Sequence, residues 1–225
     1  MTPGRSSGTA SKASGRAAGA RLVSRFNAWF FTTFAGLLDH CARSHKAGAF
    51  AGIAGGTVVE LGAGTGANLH HLAPGTHLVA VEPSSAMHQR LRRRAADAGV
   101  VLTLVPTGAE HLPLDDASVD EVICSLVLCT VADPAAVLAE VRRVLRPGGR
   151  FRFVEHVAAA RGIRALVQRR IRRPWAWLFE GCDPHRHTAR AISDAGFDRV
   201  ELHHRKFRHS VFWPVNTALW GIATR

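Results

Sequence analysis

The chain has 225 residues, 47% of them apolar, with a mean hydropathy of +0.03. That length suits one α/β domain with decoration, and the balance excludes a disordered or multi-span membrane protein. The net charge of +12 admits a nucleic-acid partner. The excess is almost all arginine, Lys12, Lys46 and Lys206 being the lysines, a bias that a GC-rich genome produces without selection for phosphate binding. A nucleic acid is therefore the minor expectation.

Residues 1–20 are mostly Gly, Ala and Ser with scattered basic residues, and read as a disordered basic tail. Residues 21–50 form an N-terminal cap segment. Its apolar stretch, residues 26–38, has about thirteen residues, too short to span a bilayer. It resembles a signal core, yet Asn27, Thr32 and Thr33 interrupt it. A lid helix over a pocket or an interfacial membrane helix is the expectation, with Phe30 and Phe34 as candidate substrate contacts.

Residues 51–225 read as the main domain, in which apolar runs alternate with amphipathic stretches, the pattern of a parallel sheet covered by helices. Strands are predicted at Thr57–Leu61, His77–Val81, 101–106, 121–126 and 151–156. Helices are predicted near 67–72 and over 83–99, 134–145, 161–179 and 188–195. Segments 199–203 and 218–224 can close the sheet as an antiparallel hairpin. Pro147-Gly148-Gly149 is read as the stop of the 134–145 helix. The helix at 161–179 alternates arginines with Ile163, Leu166, Val167 and Ile171, an amphipathic pattern that suits a solvated face, a membrane surface or a substrate carboxylate.

The central motif is Val58-Val59-Glu60-Leu61-Gly62-Ala63-Gly64-Thr65-Gly66. A strand runs into a glycine turn, where missing side chains let a ligand approach the backbone. Gly62-x-Gly64-x-x-Ala67 also satisfies a loose dinucleotide fingerprint. Glu60 separates the two, because an acid there attracts a cationic ligand and repels a pyrophosphate. Glu82, followed by Pro83, ends the second strand where a carboxylate can accept both ribose hydroxyls. Asn68, just past the glycine turn, joins these as a candidate contact.

Further along stand Gly108-Ala109-Glu110-His111-Leu112-Pro113, then Ser118-Val119-Asp120, then Leu145-Arg146-Pro147-Gly148-Gly149. With the glycine motif, this series over about residues 50–156 resembles the class I S-adenosylmethionine-dependent methyltransferases. The resemblance implies a Rossmann-like α/β fold: a mainly parallel seven-stranded sheet, helices on both faces, and an antiparallel C-terminal strand. It also implies S-adenosylmethionine as cofactor and S-adenosylhomocysteine as product. By that resemblance Gly108, Ala109 and Glu110 hold the adenine, Ser125 and Leu126 line the cofactor, and Met87 packs near the adenosine.

A narrower resemblance rests on Leu126-Val127-Leu128-Cys129-Thr130-Val131, Glu155-His156-Val157-Ala158, the neighbourhood of Pro174 and Trp175, and Phe179-x-Gly181-Cys182. These are similar to the alkyl thiol methyltransferase group, which implies a small thiol as acceptor. An oxygen or carbon acceptor is the alternative. The chain departs from that group at Pro184-His185-Arg186-His187. His156, at a strand's C-terminal edge, is the candidate proton acceptor, with Cys129 and Cys182 as pocket lining.

The four cysteines form no CxxC pair, which suits free thiols in a reducing cytoplasm, with peripheral membrane contact an option. The chain contains no tyrosine, so the Asn/Asp-Pro-Pro-Tyr motif of exocyclic-amine methylation is excluded. Asp183, His185 and His187 are spaced as metal ligands can be, but lack a fourth; a polar loop and no metal are expected. The oligomeric state is left open.

Overall fold

The computed structural model describes residues 40–53, 55–179, 181–207 and 213–225. The tail, the lid stretch at 26–38, and Phe30 and Phe34 lie outside the described residues. The order begins with a helix whose described part is residues 40–49 (α1), then β1 (Thr57–Leu61) and β2 (His77–Val81). There follow α2 (Ser85–Asp97), β3 (Val101–Val105), β4 (Val119–Ser125), α3 (Pro134–Val144) and β5 (Leu145–His156). The chain ends with α4 (Ile163–Leu178), α5 (Thr188–Ser193), β6 (Arg199–Lys206) and β7 (Thr217–Thr224).

The seven strands lie in the order β3-β2-β1-β4-β5-β7-β6. The first five are parallel, and β7 pairs antiparallel with both β5 and β6. Strand alternation explains the two cores. Val59, Leu61, Val122 and Phe153 face α3 and α5, packing with Val137, Leu138, Val141 and Ile192. Val58, Leu78, Ala80 and Ile123 face α1 and α2, packing with Cys41, Phe50, Leu91 and Ala95. Such strands, apolar on both faces, read as continuous hydrophobic runs, which is what a doubly covered parallel sheet requires.

Two predicted elements differ. The helix near 67–72 is only a short 3-10 turn at Leu69–His71. Gly66 takes φ 82° and Pro74 follows within eight residues, which leaves no room for a stable helix. The 134–145 helix ends at Val144, before the Pro-Gly-Gly stop, because Leu145 is already extended. Pro147-Gly148-Gly149 instead belongs to a long β5, with a register shift between Val119 and Glu121. The Gly148 N–H donates to the Arg225 carbonyl, and Arg225 N–H donates to Gly149 O at 3.0 Å. Asp133 and Pro134 start α3 as their chemistry demands: Asp133 Oδ1 accepts from Ala135 N at 2.9 Å and Ala136 N at 3.1 Å.

Among the described residues, no helix is long and apolar enough to cross a membrane. Of α4, only Gln168 is fully buried, while Ile163, Leu166 and Trp177 are exposed.

Candidate active site

The strand order reverses between β1 and β4, and there the C-terminal ends of the strands open the crevice where α/β sheets bind ligands. The glycine turn after β1 lies at this point. Gly62, Gly64 and Gly66 all have positive φ (60°, 55° and 82°), which favours glycine. Their surroundings differ. A Cβ on Gly62 would lie 2.4 Å from Val127 Cγ2, and one on Gly66 2.5 Å from Leu69 Cδ1. At Gly64 nothing stands closer than the Gly62 carbonyl oxygen, at 4.0 Å. The turn is tight on both sides and open in the middle.

Beneath it, Glu60 is buried. Its Oε1 accepts from Asn68 Nδ2 at 2.7 Å, while Glu60 Oε2 and Asn68 Oδ1 are buried without a hydrogen-bond partner. Two orphaned acceptors side by side call for a multiple donor, and an ammonium has three N–H bonds. Burial pushes the Glu60 carboxyl up to about 7, against the Asn68 hydrogen bond and the nearby Lys46, which favour the ion. Glu82 closes the other side: Oε2 accepts from Gly64 N and Oε1 from Ser84 N, each at 2.8 Å. Two backbone donors fix this carboxylate, and its remaining lone pairs are left for a diol.

The other predicted cofactor contacts ring the same edge. Met87 is buried on α2 and Pro83 is exposed just before it. Ala109 is buried in the core on the α3 side, and Gly108 is exposed. Glu110 Oε1 accepts from Ala132 N at 3.3 Å, tying its loop to the segment after β4. Ser125 ends β4, and Leu126 follows at φ 62° with its N–H donated to Val154 O at 2.8 Å. A branched side chain held in the left-handed region marks a strained turn at the ligand edge.

Glu155 explains that turn. It is fully buried, and its Oε1 accepts from Val127 N (2.9 Å), Leu128 N (3.0 Å) and Cys124 Sγ (3.2 Å). Its Oε2 accepts from Cys129 N at 3.2 Å. One carboxylate thus shapes residues 127–129 and presses Val127 against Gly62. Burial raises its proton affinity, against the backbone N–H groups that stabilise the ion. In the sequence Glu155 stands within the Glu155-His156-Val157-Ala158 motif, with no role of its own assigned. Its signal was there: a charge inside the apolar run of β5 requires a partner.

Beyond Val127, the fold gathers three residues that are distant in sequence. Cys129, His156 and Cys182 place their ligand atoms within 4.8 Å of one another. The two sulfurs stand 3.8 Å apart. That contact, more than burial, pushes the Cys129 thiol well up and holds the Cys182 thiol below its ordinary value. His156 is half-buried, its Nδ1 has no hydrogen-bond partner, and its ring meets Phe207 edge-on at 5.1 Å. Asp183 is committed elsewhere. Its Oδ2 accepts from Arg172 Nε at 2.6 Å and its Oδ1 from His185 N at 3.0 Å. The divergent loop packs on the same turn, as Arg186 Nη1 donates to the carbonyls of Leu128 (2.9 Å) and Val131 (2.6 Å).

A seven-stranded sheet in this order, with a glycine turn and two acids at its switch point, is the Rossmann-like arrangement of methyltransferases. Residues 59–153 match the model of the methyltransferase domain. Among relatives, it is 39% identical over 150 residues to thiol S-methyltransferase TMT1B of Rattus norvegicus, covering 65% of this chain and 62% of that protein. It is 36% identical over 160 residues to thiol S-methyltransferase TMT1A of Homo sapiens, covering 69% and 66%. The chain thus spans just under two thirds of these relatives' length. Among solved structures, a methyltransferase from Thermotoga maritima, described as a possible histamine N-methyltransferase, superposes with a TM-score of 0.63 at 19% identity, covering 90% of this chain and 99% of that one. One from Mesorhizobium loti gives 0.60 at 24% identity, covering 82% and 98%. These two share the fold.

If Glu60 meets the methionine ammonium, cofactor binding is expected to depend on pH. With its pKa at about 7 in the free protein, the carboxyl is neutral below that value and must lose its proton to meet an ammonium. Affinity for S-adenosylhomocysteine should therefore fall on acidification, by up to about tenfold per pH unit below 7. Calorimetry in buffers of different ionisation enthalpy should show a proton released on binding. Glu60→Gln should bind weakly and lose the pH dependence.

Proposed function

We propose that the chain transfers the methyl group of S-adenosylmethionine to a small apolar thiol. The observation that carries the cofactor is the pair of buried, unpartnered acceptors, Glu60 Oε2 and Asn68 Oδ1, under a glycine turn that is open at Gly64. Glu60 and Asn68 would hold the methionine ammonium, Glu82 the ribose hydroxyls, and the loop at Gly108, Ala109 and Glu110 the adenine, with Pro83, Met87, Ser125 and Leu126 lining the space between. Bound there, the cofactor supplies a methyl already activated on a sulfonium. The protein's part is proximity and alignment. The strained turn fixed by Glu155 sets the wall between donor and acceptor. His156, Cys129 and Cys182 form the acceptor end.

The thiol is supported by the named activity of the similar proteins and by chemistry. A thiol with pKa ~8.5 yields some thiolate at neutral pH, whereas an alcohol yields almost none. A small molecule is favoured over a nucleic acid by the named activity of the similar proteins, and several arginines are held in internal contacts. Arg143 binds Glu140, Asp116 and two carbonyls; Arg146 binds Asp120; Arg152, Arg172 and Arg186 are likewise engaged. The four free cysteines suit the cytoplasm. With labelled cofactor and matched thiol, phenol and alcohol acceptors, the thiol should be methylated fastest. Methylated phenols without methylated thiols would overturn the acceptor and leave the cofactor reading standing.

A further inference from the structure

We propose that Cys129, Cys182 and His156 form a site for one zinc-class cation, whose fourth position takes the thiolate of the acceptor. The fourth-ligand part rests on the thiol reading above; the cation site does not.

The geometry carries it. Zinc bonds thiolate at about 2.3 Å and imidazole at about 2.0–2.1 Å, so two thiolates on one tetrahedral zinc stand about 3.8 Å apart. The two sulfurs here are separated by 3.8 Å. An imidazole nitrogen of His156 lies within 4.8 Å of both sulfurs. Two sulfurs and an imidazole are a soft-to-borderline donor set, which selects zinc over magnesium or calcium. Among the described residues this is the group whose donors converge in this way.

The donors are also held in place before any ion arrives. Cys129 is fixed through both of its backbone polar groups: its N–H donates to Glu155 Oε2 at 3.2 Å and its carbonyl accepts from Asp183 N at 2.8 Å. The Cys182 N–H donates to Phe179 O at 2.9 Å. His156 terminates β5, with Val157 N bonded to Thr217 O at 3.1 Å. Three protein ligands with one position open is the catalytic rather than the structural arrangement for zinc. Cys129 and Cys182 are buried while His156 is half-buried, so His156 is the most solvent-accessible of the three donors.

The step balances without an oxidant. On coordination the acceptor S–H releases its proton to solvent. The thiolate lone pair then forms the new S–CH3 bond as the sulfonium S–CH3 bond breaks, and that pair stays on the departing thioether sulfur. The methylated acceptor is a neutral thioether, a poorer ligand than a thiolate, and leaves. His156 thus becomes a ligand of the ion that activates the thiol, in place of the proton acceptor expected from sequence.

The test uses the full chain, reduced and stripped with a chelator, then titrated with Zn2+ and with Co2+. One equivalent should bind with a Kd below about 1 μM, and the Co2+ form should show thiolate charge-transfer bands of a tetrahedral site. Cys129→Ser, Cys182→Ser and His156→Ala should each weaken binding by at least about tenfold, while Cys41→Ser, on α1, should not. Thermal melts by circular dichroism keep folding separate from binding. Adding benzenethiol to the Co2+ protein should strengthen the charge-transfer band. Absence of metal binding with all four thiols reduced would overturn the site, as would a Cys129–Cys182 disulfide in the isolated protein or binding unchanged in the three variants. Thiol methylation unaffected by stripping would overturn the fourth-ligand role. Metal binding without any thiol methylation would defeat the acceptor reading alone.

Discussion

Gly64→Val should abolish binding of S-adenosylmethionine and S-adenosylhomocysteine while leaving a folded protein. The new side chain meets no protein atom nearer than 4.0 Å at its Cβ, so it enters the open space over Glu60 that the cofactor would fill. Its backbone must keep φ near 55°, which costs roughly 1–2 kcal/mol for a residue with a Cβ. In a chain of this length that lowers Tm by about 2–8 °C. The neighbouring glycines provide the contrast. Valine at Gly62 collides with Val127, and valine at Gly66 with Leu69 and with Leu91 at 3.1 Å, so both should lose stability as well as binding. Calorimetric titration with S-adenosylhomocysteine and a thermal melt separate the cases. A Gly64→Val protein that binds the ligand normally would mean that the cofactor lies elsewhere.

The difference among those glycines was not visible in the sequence, which shows only that all three occur. The strand-end acids were. Glu60 and Glu82 interrupt apolar runs at the points where two strands must stop, so their position at the sheet's ligand edge followed from pattern alone. The sheet itself was legible for the same reason: five apolar runs with helical stretches between them leave few topologies. What local pattern cannot carry is contact across long separations. Cys129 and Cys182 are 53 residues apart, and they meet because Asp183 N bonds to Cys129 O and Glu155 shapes the turn before it. Pro147-Gly148-Gly149 shows the same limit. The helix does end just before it, at Val144, but the pairing of its backbone groups with Arg225 is a long-range contact that local pattern does not carry.

Arg152 was likewise missed, and its removal should be the largest single loss of stability. It is among the largest fully buried side chains, at 1% exposure on β5. Its Nε donates to Glu121 Oε2 at 2.7 Å and its Nη2 to Glu121 Oε1 at 3.1 Å, a two-point pair between neighbouring strands. The rest of the guanidinium donates to the carbonyls of Ala49, Ala51 and Gly52 at 2.9–3.1 Å. These cap the end of α1, the helix whose Lys46 lies near Glu60. Arg152→Met leaves Glu121 buried with Arg150, at 3.9 Å, as its remaining ion pair among the described residues, and removes the donors of three carbonyls. Breaking a buried pair this way costs about 3–5 kcal/mol, a fall in Tm of roughly 6–20 °C. The double variant Arg152→Met, Glu121→Leu removes the stranded charge, so it should recover much of that loss. The carbonyls of Ala49, Ala51 and Gly52 lose their Arg152 donors in both, so α1 should remain loose and affinity for S-adenosylhomocysteine reduced even where the melt recovers. Chemical denaturation of the three proteins, with ligand titration of each, measures both effects. A single variant as stable as the parent would show that the Arg152–Glu121 pair contributes nothing beyond its own desolvation.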